Sequence, residues 1–98
     1  MATDDPLSAL QTWFKRRVDG QWEHQFGIRI ESLDNPGWLI SIDVADTEVA
    51  DKRFDEIAYD GGPHDWLTCR VVKRTFEGYG DVGKLAAILR VFTTWVRA

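Results

Sequence analysis

Trp22, His24, Phe26, Ile28 and Ile30 occupy alternate positions, and Trp38, Ile40, Ile42 and Val44 resume the same rhythm after a break, with Arg29, Glu31, Ser41 and Asp43 in the opposite phase. A period of two predicts strands with one face buried. The break is Asp34-Asn35-Pro36-Gly37, four consecutive turn formers. Proline pushes Asn35 toward an extended backbone, Pro36 presets φ for a turn corner, and Gly37 can take the positive φ of a type II turn. The two strands therefore form a hairpin. A second hairpin is predicted from residues 66–72 and 75–79, where Leu67, Cys69 and Val71 alternate inward and Lys73-Arg74 lie near the turn. Residues 47–53 are polar and read as a loop, and 54–59 as a short strand ending at Asp60-Gly61-Gly62-Pro63.

The two ends of the chain change period. Asp5 before Pro6 reads as a helix N-cap with proline at the first helical position, and Leu7, Leu10, Trp13, Phe14 and Val18 then share one helical face. Lys15, Arg16 and Arg17 suit the negative end of the helix dipole, and Gly20 lies where a left-handed cap would sit. At the other end, Leu85, Ile88, Leu89, Phe92, Trp95 and Val96 repeat at helical spacing behind a cap at Asp81. Strands joined by short turns pair antiparallel, and two amphipathic helices need a face to cover. The expected fold is α+β in two layers: an antiparallel sheet of four to five strands with an N-terminal and a C-terminal helix on one side, all of 1–98 forming one domain.

Composition narrows the function. A chain of 98 residues with 44% hydrophobic residues, five Trp and five Phe builds one core and has no room for a second catalytic lobe. No apolar run reaches the roughly 18 residues of a membrane span, and the N-terminus is acidic where a signal peptide would be basic, so a cytoplasmic location is expected. The net charge of −4 argues against direct nucleic-acid binding, which needs a basic face. Residues 43–65 carry −6 of it, leaving +2 for the remainder. Such a segment either steers a basic protein partner at encounter or is simply a solvated loop.

Few residues can carry chemistry. Cys69 with His24 or His64 is the only pairing of nucleophile and base, yet Cys69 alternates with Leu67 and Val71, where a free cysteine is usually a small buried apolar group. Two histidines and one cysteine, with neither His-x-x-x-His nor Cys-x-x-Cys, give no metal site, and no cofactor is expected. Gly78-Tyr79-Gly80-Asp81-Val82-Gly83 spells a G-x-G-x-x-G loop, but it follows a hairpin rather than the first strand of a parallel unit. Its glycines read as relaxing a strand-to-helix turn. Trp22, Trp38 and Trp66 stand at strand starts beside polar residues, where tryptophan either plugs the end of a small core or anchors an interface. A saturable peptide- or small-molecule site on the sheet face near Glu23 and His24 remains an alternative.

Several blocks occur together: Asp19-Gly20-Gln21-Trp22-Glu23-His24, Phe26-Gly27-Ile28, Leu33-Asp34-Asn35-Pro36-Gly37-Trp38, Ile42-Asp43, Asp65-Trp66, Cys69-Arg70-Val71, Phe76-Glu77-Gly78, Gly80 and the final helix. In this order they resemble the immunity protein 53 family of bacterial polymorphic toxin systems, over nearly the whole chain. The family tends to have Gln-Cys where this chain has Arg17-Val18, an Asp-Gly turn where it has Lys73-Arg74, and asparagine at Lys84. The resemblance implies a small protein, not an enzyme, that binds and neutralises a cognate toxin domain. Charge logic suits a basic toxin such as a nuclease. The residues expected to meet it are Trp22, Glu23, His24, Asp34, Asn35, Trp38, Asp51, Asp55, Glu56, Asp65 and Trp66.

Overall fold

A computed structural model describes residues 5–98 of the chain. Three helices and five strands follow in the order α1 Pro6–Arg17, α2 Trp22–Gln25, β1 Ile28–Leu33, β2 Gly37–Asp43, β3 Ile57–Asp60, β4 Trp66–Val72, β5 Thr75–Gly80 and α3 Leu85–Arg97. The strands form one antiparallel sheet in the order β1-β2-β5-β4-β3. Helix α3 packs on β5 and β4, and α1 packs on α3. The architecture is the expected α+β arrangement of two layers, with one sheet face left open.

Local chemistry explains the boundaries. Asp5 caps α1, its carboxylate accepting from the Leu7 amide at 3.2 Å and the Ser8 hydroxyl at 2.7 Å. Leu10 and Trp13 are buried, whereas Leu7 and Val18 are about half exposed, because α1 meets the neighbouring helix over a narrower stripe than the periodicity suggested. The alternation from Trp22 to Phe26 is not a strand. Asp19 accepts from the amides of Gln21 and Trp22, both at 2.9 Å, and Glu23 reaches back to the amides of Asp19 and Gly20 at 3.0 and 2.8 Å. Four otherwise unpaired donors are thus satisfied by two carboxylates, which winds 22–25 into a helical turn. The strand begins only at Ile28, and Ile30 is exposed.

The two hairpin turns also differ from expectation. Leu33 pairs with Gly37, so the first loop is Asp34-Asn35-Pro36 and Gly37 already belongs to β2. Glycine is required there by close approach rather than by the turn, since a Cβ would strike the Gly80 carbonyl. In the second, Val72 pairs with Thr75 across Lys73 and Arg74, whose φ angles are 52° and 59°. This is a two-residue turn with both corners left-handed, the geometry that Asn-Gly or Asp-Gly fills without strain. Each non-glycine residue held there costs about 1–2 kcal/mol. The Arg74–Asp51 pair beside it, at 2.6 Å, is exposed on both sides and offsets little. Lys73→Asn with Arg74→Gly should stabilise the protein by about 1–2 kcal/mol, read as a higher urea midpoint at unchanged slope. A lowered midpoint would show that the Asp51 contact outweighs the relief of strain.

Residues 44–56 cross the helix side of the sheet and are pinned along the way. Val49 is buried, Glu48 accepts from the Trp13 indole at 3.1 Å and pairs with Arg17, and Lys52 donates to the carbonyl of Trp95 in the last turn of α3 and to that of Ala98 just beyond it, both at 2.7 Å. Phe54, expected to open a strand, instead enters the core edge-on against Phe76 and Trp95 at 5.6 and 5.3 Å. The strand is only Ile57–Asp60. At the centre, Phe92 is fully buried between Trp13, Phe76 and Trp95, at ring distances of 5.0, 5.1 and 6.0 Å.

Candidate functional site

Register divides the expected interface residues between the two ends of the sheet. One end gathers the β1–β2 loop, the β3–β4 turn and the β5–α3 connection, since Trp38 pairs with Gly80, Leu67 with Gly80 and Asp60 with Trp66. Asp34, Asn35, Trp38, Asp65 and Trp66 are therefore neighbours. Trp22, Glu23, His24 and Asp51 lie toward the opposite end, a strand length or about 20 Å away. Asp55 and Glu56 are exposed on the approach to β3, with Asp55 bound by Arg53 at 2.8 Å.

The three tryptophans part company. Trp22 is 6% exposed, and its indole donates to the Ala45 carbonyl at 2.9 Å. Trp38 faces the helices with Ile40 and Ile42, its indole donating to the Val82 carbonyl at 3.0 Å. Both indoles fix loops to the sheet, and the Glu23 carboxylate is engaged by the turn before α2. Trp66 is out of phase with buried Leu67 and Cys69, so it lies on the open face, where its ring reaches within 3.6 Å of the position a Cβ on Gly37 would take.

Asp81 holds this end together, but not as the predicted helix cap. The residue preceding α3 is Lys84, with no side-chain cap, and Asp81 serves the turn before it. Its carboxylate accepts from the amides of Trp66 and Gly83, each at 2.8 Å, and from the Lys84 ammonium at 2.7 Å, while its own amide donates to the Trp66 carbonyl at 3.2 Å. The Lys84 ammonium reaches on to Asp65 at 2.7 Å, and the Tyr59 hydroxyl donates to the other oxygen of Asp65 at 2.7 Å. The Lys84 ammonium beside it and the two amides hold Asp81 down at about 2, and the carboxylates of Asp65 and Asp81 raise Lys84 to about 12. The same lysine keeps Asp65 below the ordinary carboxylate value. Asp34, Asp60 and Asp65 ring an acidic rim whose lysine is already held between two carboxylates.

Beside Trp66 the open face sinks into a depression of about 600 Å³ lined by Ala58, Tyr59, Asp60, Gly62, Pro63, Thr68 and the tryptophan. Sequence reasoning picked Trp66 but passed over Asp60 and Ala58, which it left in a strand end and a turn. The signal was present, because residues 58 and 60 share a phase just as 66 and 68 do.

Cys69 has no exposure, and burial pushes its thiol up to about 12, so it is not poised as a thiolate nucleophile. Its candidate bases, His24 and His64, are exposed. Among the described residues no group of three or more His, Cys, Asp or Glu could hold a metal ion, and no helix is long and apolar enough to cross a membrane.

Compared with known families, residues 7–97 match the family described as Immunity protein 53. No curated protein and no solved structure matches the chain.

Proposed function

Because the chain belongs to the immunity protein 53 family, we propose that it is a stoichiometric inhibitor that binds and occludes a cognate toxin domain in the cytoplasm of the cell that makes it. The observation that carries this reading is the family match across residues 7–97. Physical features agree with it. One sheet face is free of helices, its rim is acidic, and Val82 stands 65% exposed beside that rim. An acidic binder suits a basic target, and a nuclease is the type of toxin the charge favours. Occlusion of this kind needs an interface of roughly 1,200–2,000 Å² in total, with a few residues contributing most of the affinity. Asp34, Asn35, Asp65 and Trp66 fall on that end of the molecule. Asp55 and Glu56 flank it along β3 and add to the attraction at encounter.

The test is growth of cells expressing the toxin-like region encoded beside this chain, with and without the chain. Rescue with a co-purifying complex is expected, and toxicity that persists beside abundant folded chain would sink the reading. Cys69→Ala separates a binder from a cysteine enzyme. It should preserve rescue at a stability cost of about 1 kcal/mol, because it removes only a small buried group. Loss of rescue by a variant that still melts cooperatively near the wild-type temperature would favour catalysis.

A further inference from the structure

We propose that the depression beside Trp66 is a socket for a basic side chain of the toxin: an arginine or lysine laid on the indole and held by the Asp60 carboxylate. The proposal rests on the reading of the chain as a toxin binder and names the chemistry of its contact.

Five tryptophans allow an internal comparison. The indole N–H groups of Trp13, Trp22, Trp38 and Trp95 donate to Glu48, Ala45, Val82 and Arg53 at 2.8–3.1 Å. Among the described residues, Trp66 alone has no acceptor for its indole. Its nitrogen is not sealed from solvent, so the N–H stays available to an acceptor that a partner brings, the situation of tryptophans with one apolar and one wet side. The backbone of the residue is nonetheless fixed, for its amide is bound by the Asp81 carboxylate and its carbonyl by the Asp81 amide. An aromatic with few torsions on an anchored backbone, and with a spare donor, loses little freedom on binding.

The rest of the depression favours a cation. Small side chains at Ala58 and Thr68, with Gly62, leave the space beside the ring, and no lysine or arginine lines it. Asp60 accepts only the Gly62 amide, at 3.1 Å, and makes no ion pair among the described residues. Asp65, by contrast, is committed to Lys84 and Tyr59, and Lys84 is committed to two carboxylates. Lys84 is thus bound elsewhere, while one carboxylate without an ion pair among the described residues stands beside an aromatic side chain. A guanidinium or ammonium there gains both the ring quadrupole and the charge, and a carbonyl following it in the partner can accept from the indole. The site opens on β3, an edge strand exposed along its whole length, so an extended segment of the partner has access.

Two measurements test this. In the first, the isotopically labelled chain is titrated with acetyl-Gly-Arg-Gly-amide and with its glutamate analogue. The Trp66 indole N–H resonance, assigned by its loss in Trp66→Phe, should move with the arginine peptide more than the other four and stay in place with glutamate. Asp60→Asn should reduce the shift about fivefold. In the second, affinity for the adjacent toxin domain should fall about 100-fold in Trp66→Ala, and about tenfold in Trp66→Phe and Asp60→Lys. Lys15→Ala, on the helix layer, should bind as wild type. An indole resonance indifferent to arginine, or an Asp60→Lys chain that binds the toxin unchanged, overturns the socket. If wild type ignores the toxin but Trp66 still answers the arginine peptide through Asp60, the immunity reading falls and the socket stands.

Discussion

Gly78→Val should destabilise the protein by about 3 kcal/mol or more, a large fraction of the roughly 5–15 kcal/mol that holds a small domain folded. Gly78 sits in β5 directly beneath α3, and a Cβ built on it would collide with Cγ2 of Ile88, which is itself fully buried. Neither group can yield cheaply. The strand is central, paired with β2 on one side and β4 on the other, and α3 is the helix that packs on it and on β4. Gly80, two residues on, repeats the arrangement, with a Cβ meeting Lys84 at 2.7 Å and Ile88 at 3.1 Å. The pair therefore forms a flat track on which the first turn of α3 rests. The mechanism predicts coupling. Gly78→Ala should cost less when Ile88 is also alanine, so the double variant should be more stable than the sum of the two single losses, by about 1 kcal/mol. Strict additivity in urea unfolding would refute the contact as the cause.

The same two glycines show what the sequence could and could not disclose. Their proximity to a helix suggested a relaxed turn, yet their phase with Phe76 placed them on the covered face, where a missing side chain means close approach of another element. Phase also distinguished Trp66 from Trp38, because Trp38 alternates with Ile40 and Ile42 whereas Trp66 opposes Leu67 and Cys69. The hairpins, the two long helices and most of the core were legible because each obeys one period over many residues. The stretch from Trp22 to Phe26 was not, since five residues cannot separate a period of two from one helical turn. The better signal there was Asp19 and Glu23, acids spaced to satisfy reciprocally the free amides at the start of a helical turn.

The acidic segment was legible as charge but not as geometry. Glu48, Asp51, Asp55 and Asp65 each have a basic partner drawn from a different part of the chain, namely Arg17, Arg74, Arg53 and Lys84. Only Arg53 is local. Which carboxylates remain available to a partner is thus a property of the tertiary fold, and Asp60 emerges as uncompensated only once Lys84 is seen between Asp65 and Asp81.

Asp81→Ala should lower the melting temperature by about 10 °C at neutral pH, making it the most damaging single change at the acidic end. Its carboxylate satisfies two amides and one ammonium within a residue only 6% exposed, so alanine orphans the Trp66 and Gly83 amides together and frees Lys84 from one of its two partners. The pH dependence follows from the direction of each shift. Asp81 is lowered from its ordinary 3.8 to about 2 in the folded chain, so its stabilisation is complete above about pH 4 and is lost as pH falls through 2. Lys84 is raised from 10.5 to about 12, so its share is complete below 10.5 and is lost as pH rises through 12. Across the physiological range the network is therefore fully formed, and the wild-type acid limb between pH 4 and 2 should be steeper than that of Asp81→Ala. Equal acid limbs in thermal melts from pH 7 to 2 would mean that the carboxylate is not held as the geometry requires. A loss confined to toxin affinity, with the melting temperature unchanged, would move Asp81 from the frame of the socket to its contact surface.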